Sequence, residues 1–375
     1  MSATERRAVV TGIGMVTPLG RGLAANLEAL SSGTSAVAPA GAGEGPPGWN
    51  FAGVPDFDAR PYFRVPKAIK LADRRTRMAV AAASMAMEDA GVAAGGLDPE
   101  RLGVIVGTSG SDLQAEELGR AVAGEGERAA ADIPWFAERI LSDLNPLWLI
   151  VNLPNMVSAH VAIQLDAQGP NSVVMTDWIA GLQAIEEGAE WIRAGEAEAV
   201  LAGGAEAGVL PFVMSSYAQA GRTGAASDGP PELALADGAA IFLIEDEGRA
   251  KARAARIYGE VLPSCRGGPD EDCLEAIRAE LGRRGARLLA VSPGDGGLRS
   301  APDDAWTRIF GDGAPGPEIV DYRPALGHAL AASAAIDAGL MLARLPASDG
   351  PAAVVCGARG YLGQFAALAF AGGAA

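Results

Sequence analysis

Residues 171–207, NSVVMTDWIAGLQAIEEGAEWIRAGEAEAVLAGGAEA, restrict the architecture of this chain more tightly than any other stretch. The β-branched and apolar run at 172–175 predicts a short strand in a covered sheet. Thr176 and Asp177 carry side-chain oxygens suited to the free amides of a helix's first turn. From there Trp178, Leu182, Ile185, Ala189 and Ile192 share one face of a helix, with Glu186, Glu187, Glu190 and Arg193 toward the other. Gly195 ends the helix, and residues 199–201 form a second apolar strand before Gly203-Gly204. Strand, sharp turn, helix, strand is the grammar of an α/β protein.

The first residue of such a helix is where an α/β enzyme favours a nucleophile, because the helix dipole and unpaired amides stabilise negative charge and lower a thiol's pKa. Trp178 holds that position, beside Asp177. An indole does not attack a carbonyl, and a neighbouring carboxylate opposes a second anion. The frame of an active site is present without its reactive atom.

At 375 residues the chain is long for one simple domain, and two fused halves sharing a core are expected. Apolar residues at 49% supply that core, while aromatics at 5% and 50 glycines predict closely approaching backbones rather than packed rings. The net charge of −16 sets aside nucleic acid and anionic membrane surfaces as partners. No apolar run reaches the ~20 residues that span a bilayer, and MSATERRAVV lacks a signal-peptide core, so a cytoplasmic chain is expected. Cys265, Cys273 and Cys356 are odd in number and lack metal-ligand spacing, which reads as reduced thiols. With His160 and His328 the only histidines, a zinc site or a Ser-His-Asp triad has few possible members. No metal or cofactor is expected.

Several further stretches carry expectations. Gly12 and Gly14 lack the third glycine of a phosphate loop and read as a strand-to-loop turn. Lys67, Lys70, Arg74, Arg75 and Arg77 form a local basic cluster, read as a solvated helix face partnered by Asp73 ahead of a docking patch. Residues 76–91 read as a buried helix, 102–106 as a strand and 112–122 as a helix. The run LWLIVNLPNM at 147–156 is explained by core packing by default, with a subunit interface as the rival reading. Residues 239–245 form a strand, 249–256 a basic connector and 257–262 the start of a new series. A repeat boundary is therefore placed near 250, giving halves 1–250 and 251–375. Helices at 273–284, 305–310 and 330–343, a strand at 287–291 and a hairpin-like pair at 352–355 and 366–370 complete the second half.

The most specific stretches are VVTGIGMVTPLG, GPNSVVMT, GLQAIEEGAEWIRAGEAEAVLAGGAEA and LGHALAASAAIDAGL, within a likeness that runs from the N-terminus to the Gly-rich C-terminal segment. In these the chain resembles the β-ketoacyl synthases of the thiolase superfamily, the condensing enzymes of fatty acid and polyketide assembly. The resemblance implies a five-layered αβαβα fold of two similar halves, and a dimer with residues 172–175 near its two-fold axis. Active members use a cysteine nucleophile and two histidines. By the resemblance Trp178 stands at the cysteine of a Thr-Ala-Cys-x-x-Gly stretch and Gly294 at the first histidine. His328 matches the second histidine, Arg323 the lysine usual five residues before it, and Arg359 the aromatic of a closing glycine-rich loop.

Losing the nucleophile and one histidine removes covalent catalysis, and His328 alone does not restore it. Among such degenerate synthases the chain resembles the chain-length factor, or ketosynthase β subunit, of type II polyketide systems. That resemblance implies a heterodimer with a cysteine-bearing ketosynthase, an acyl carrier protein reached through the complex, and an acyl tunnel closed by steric exclusion. Thr108, Leu113, Leu147, Trp148, Leu153 and Met156 are its candidate tunnel and interface residues. The alternatives are an active condensing enzyme using Ser215, Ser216 or Cys356, and a homodimeric acyl-chain-binding scaffold. His160, in an apolar segment, reads as a structural core histidine.

Overall fold

The computed structural model describes residues 6–372 except 41–48, 56, 94, 111–116, 118, 120–131, 221–232, 267–269, 295–302, 312–315 and 347–349. In the first half the main strands are β1 (Ala8–Thr17), β2 (Leu102–Gly107), β3 (Asn171–Val174), β4 (Ala199–Ala207) and β5 (Leu235–Asp246). They lie in the order β3-β2-β4-β5-β1. β2 is parallel to β3 and β4, and β5 is antiparallel to β4 and β1. The second half has β6 (Gly259–Val261), β7 (Arg287–Ser292), β8 (Glu318–Ile319), β9 (Ala352–Arg359) and β10 (Phe365–Gly372). Their order is β8-β7-β9-β10-β6, with the same senses at the corresponding positions. One strand order and one set of directions thus occur twice. β1 and β6 pair through Val9 with Glu260 and Val10 with Gly259, joining the halves into a 14-stranded sheet among the described residues.

Both faces of this sheet are covered, which is why its strands read as continuous apolar runs rather than alternating ones. Along β5, Ile241 and Leu243 face the outer core while Phe242 and Ile244 face the inner one. The outer core lies under α1 (Arg74–Asp89) and α2 (Met156–Leu165). The inner core holds α3 (Ala180–Ala194) and α6 (Ser333–Leu342), which pack on each other between the two halves. On the far side α4 (Asp270–Arg284) and α5 (Asp303–Phe310) cover the second half through Leu274, Ile277, Trp306 and Ile309. The layers run helix, sheet, helix, sheet, helix.

Three local expectations are corrected. Gly12 and Gly14 lie inside β1 rather than at a turn. The glycine is needed because α1 crosses the strand there, and a Cβ on Gly14 would sit 1.8 Å from the Ala82 carbonyl oxygen. The basic cluster is a solvated face only in part: Lys67 and Lys70 are exposed and Asp73 is a partner as expected, but the arginines turn inward. Arg75 is buried, pairs with Asp73 at 2.9 Å and donates to Thr108 Oγ1 at 2.9 Å, and Arg74 pairs with Asp237 at 2.7 Å. Asp73 also caps α1, accepting from the Thr76 N–H at 2.6 Å. Residues 147–156 are not core: Leu147, Leu149 and Leu153 are exposed, and Trp148 and Met156 are half-buried.

Candidate functional site

The turn between β3 and α3 differs from the simple helix start expected. Asp177–Ile179 forms a single 3-10 turn, and the α-helix begins only at Ala180. Asp177 has φ +62°, in the left-handed region, so it does not serve as a helical residue. Its carboxylate turns away from the first-turn role and accepts from the Tyr361 backbone N–H. Thr176 does not cap either; its hydroxyl bonds the Gln183 side chain. Placing Asp177 and Thr176 as capping residues overlooked a partner 184 residues away.

This geometry puts Trp178 inward, 2% exposed. Its indole Nε1 donates to the Tyr217 hydroxyl at 2.9 Å. The ring centroids of His328, Tyr361 and Tyr217 lie 4.5, 5.8 and 6.3 Å from that of Trp178. Val213, Met214, Leu235 and Leu330 complete the apolar surround. The space at the head of the central helix is therefore filled by the chain's own rings. Tyr217 lies on the helix Pro211–Gln219 and had no signal in the sequence, because only the folded chain brings it to Trp178.

The polar groups nearby are committed as well. Burial raises the Asp177 carboxyl above its ordinary pKa, while the backbone N–H groups of Tyr361 and Trp178 favour its ionised form. Two backbone amides turned toward one carboxyl group make the kind of pocket that stabilises an oxyanion. Here the chain's own carboxylate is their acceptor. His328 is buried; burial first, and the Arg323 charge second, push its pKa down to about 3. The imidazole is neutral at physiological pH, and its Nδ1 accepts from the Leu330 N–H at 3.2 Å, which leaves the ring proton on Nε2.

Arg323 pairs with the buried Asp337, which also accepts from Ser292 Oγ at 3.0 Å. Gly294 has φ +68°, and a Cβ there would lie 1.9 Å from the Gly357 carbonyl oxygen. The backbone at 294 thus has no room for a histidine. Arg359 pairs with Asp270 and stands 5.5 Å over the Phe365 ring, while Tyr361 supplies the aromatic against Trp178.

The alternative nucleophiles are poorly placed. Cys356 is fully buried within β9, where desolvation and then Asp337 raise its thiol pKa, so no thiolate forms. Ser215 and Ser216 are exposed, and Ser216 Oγ donates to the Phe212 carbonyl at 2.9 Å. His160 is buried, 6.4 Å from the Phe63 ring, and desolvation lowers its pKa.

The tunnel and interface candidates do not form one group. Thr108 is fully buried between Arg75 and Glu206. Leu113, like most of 112–122, lies outside the described residues. Leu147, Trp148, Leu153 and Met156 stay together on and beside the short helix Trp148–Asn152. This segment neighbours the sheet edge: a Cβ built on Gly110 would meet both Met175, which follows β3, and Pro154. Ile163 and Met175 are also exposed, at 49% and 50%.

Comparison with known proteins identifies the frame. The β-ketoacyl synthase N-terminal domain model matches residues 5–244. The ketoacyl synthase alpha subunit of the tetracenomycin polyketide synthase from Streptomyces glaucescens is 28% identical over 362 residues, 89% of this chain and 83% of that protein. The granaticin polyketide putative β-ketoacyl synthase 1 of Streptomyces violaceoruber is 31% identical over 271 residues, 68% of this chain and 62% of that protein. Among solved structures, the ishigamide ketosynthase/chain length factor superposes with a TM-score of 0.77 at 23% identity, covering 99% of this chain and 100% of that one. A ketosynthase solved with its type II polyketide synthase acyl-carrier protein gives 0.77 at 21%, covering 98% and 99%. By sequence and by fold, the chain belongs to the β-ketoacyl synthase family.

Proposed function

We propose that this chain is a ketosynthase-like subunit without condensing activity of its own, a chain-length factor that pairs with an active ketosynthase. In that pairing it closes one end of the partner's acyl tunnel and sets how far a polyketide grows. The observation that carries this reading is the buried Trp178 at the head of α3, hydrogen-bonded to Tyr217 and packed against His328 and Tyr361. Condensation needs a nucleophile there, a cavity for a thioester and free amides for its oxyanion. An indole fills the first two needs' space, and the third is taken by Asp177.

Two further observations support a partner. Among the described residues β3 pairs with a strand on one side only, and Met175, which follows it, is 50% exposed; Leu149 at 60% and Ile163 at 49% are exposed apolar side chains of the neighbouring helices. An apolar patch at an unpaired strand is a surface that proteins cover. The acidic balance of the chain, −16, suits a carrier protein docking on the partner rather than here. The two halves are read as meeting near residue 250, between β5 and β6.

Co-expression with a cysteine-bearing ketosynthase from a neighbouring gene tests the reading, and the absence of such a gene would favour the scaffold alternative. A one-to-one complex is expected, with products whose length changes when the 147–156 segment is altered. If the ketosynthase alone makes the same products at the same rate, the reading fails. A stable homodimer that ignores the ketosynthase would favour the scaffold alternative instead.

A further inference from the structure

β2 and β3 end side by side. Gly107 is level with Val174, and the Thr108 N–H donates to the Val174 carbonyl at 2.9 Å. After β2 the chain turns through Ser109 and Gly110, where φ is +73°. Buried Glu206 holds this turn, its carboxylate accepting from the Ser109 N–H at 2.6 Å and from the Ser109 hydroxyl at 2.5 Å. The left-handed conformation favours glycine, and so does the space. A Cβ on Gly110 would lie 2.5 Å from the Met175 methyl carbon and 3.7 Å from the Pro154 ring. The Met175 methyl is thus seated on bare backbone, with Pro154 beside it.

Met175 is also half exposed, and it stands three residues before Trp178, the position that matches the nucleophile. Three residues of extended chain span roughly 10 Å. In a pairing that sets two β3 strands across a pseudo-two-fold axis, the partner's strand leads to the partner's nucleophile at the same remove. An acyl chain growing from that nucleophile across the junction is directed at the end of this chain's β3. Methionine is unbranched and adapts its shape to what it meets. Its removal would leave a recess rather than a flat wall, because Gly110 has no side chain to fill the seat.

We propose, resting on the function proposed above, that Met175 seated on Gly110 is the side chain that ends the acyl tunnel, and that its bulk sets the product length. An extended chain advances ~1.2 Å per bond, so a two-carbon unit takes up ~2.4 Å. The bonds of Met175 beyond its Cβ reach ~3.6 Å by the same measure. Met175→Ala therefore makes room for one further two-carbon unit and not for two.

Mass spectrometry of the products made by the purified one-to-one complex with the ketosynthase tests this. Met175→Ala is expected to lengthen the main product by one two-carbon unit, and Met175→Trp to shorten it by at least one. Gly110→Ala, which drives the Met175 methyl off its seat, should shorten it as well. A side chain that only helps the two subunits pair would change the amount of product and leave its length alone. Unchanged length with both Met175→Ala and Met175→Trp would overturn the proposal. If alteration of 147–156 still moves the length in that case, the chain-length reading stands without Met175; if no one-to-one complex forms, both fall together.

Discussion

Replacing Trp178 by alanine is the sharpest probe of a closed site, because the structure sets the size of the effect. The indole is 2% exposed and touches three other rings, so its removal is a full large-to-small core substitution. Such changes cost about 3–5 kcal/mol, depending on how far the surroundings collapse. Collapse is restricted here, since Trp178 precedes a helix wedged between two sheet layers. We therefore expect about 4 kcal/mol, read from the shift of the urea denaturation midpoint. Part of this is the hydrogen bond to Tyr217. Tyr217→Phe should cost about 1–2 kcal/mol, because it leaves a buried indole N–H without its acceptor. Trp178→Phe with Tyr217→Phe should cost less than the two single changes summed, since both remove the same bond. The cavity has the shape of the lost ring, so free indole should bind Trp178→Ala and not the parent. At ten times its dissociation constant it would restore about 1.4 kcal/mol. A Trp178→Ala protein within about 1 kcal/mol of the parent and indifferent to indole would refute the packed-plug account.

Three further outcomes follow from the same geometry. Neither Trp178→Cys nor Trp178→Cys with Gly294→His should condense substrate in isolation, and Gly294→His alone should lower the thermal midpoint, because position 294 combines φ +68° with a carbonyl 1.9 Å from any Cβ. Asp177→Asn should gain stability over the parent as pH rises: the folded state holds the Asp177 carboxyl above 3.8, so its contribution is present below that value and lost as pH climbs through the folded pKa. Denaturation midpoints from acid to neutral pH would expose a parallel course as a contradiction. Leu149→Asp with Met175→Asp should abolish partner binding in size-exclusion experiments while moving the thermal midpoint little, since both side chains are at least half exposed.

Much of the architecture was legible because it rests on local pattern. The helix face from Leu182 to Ile192, the β5 run and the β9–β10 pair all follow periodicity that short stretches carry. Errors arose where a distant partner decided. Residues 147–156 look like core by composition, but they lie outside the layers and keep their side chains exposed. Arg75 looks like a surface cation until Asp73, Thr108 and Glu206 assemble around it. The site divides the same way. Trp178 and Gly294 stand out as wrong residues for a catalytic frame, a contrast visible in sequence. Tyr217, and the Tyr361 amide that holds Asp177, come from elements far along the chain and are joined only by folding.

The two ends of the sheet differ in a way that bears on how large an assembly can become. At one end β8 is only two residues long, and its Glu318 is engaged by Arg344. A short, charged terminus of this kind gives another chain little to zip onto. At the other end β3 is four residues long and flanked by apolar side chains. A molecule adhesive at one end and blunt at the other cannot add copies without limit. Under the proposed pairing, union at the β3 end would leave the short, charged β8 end as the free end of the sheet among the described residues, so assembly would stop at two chains.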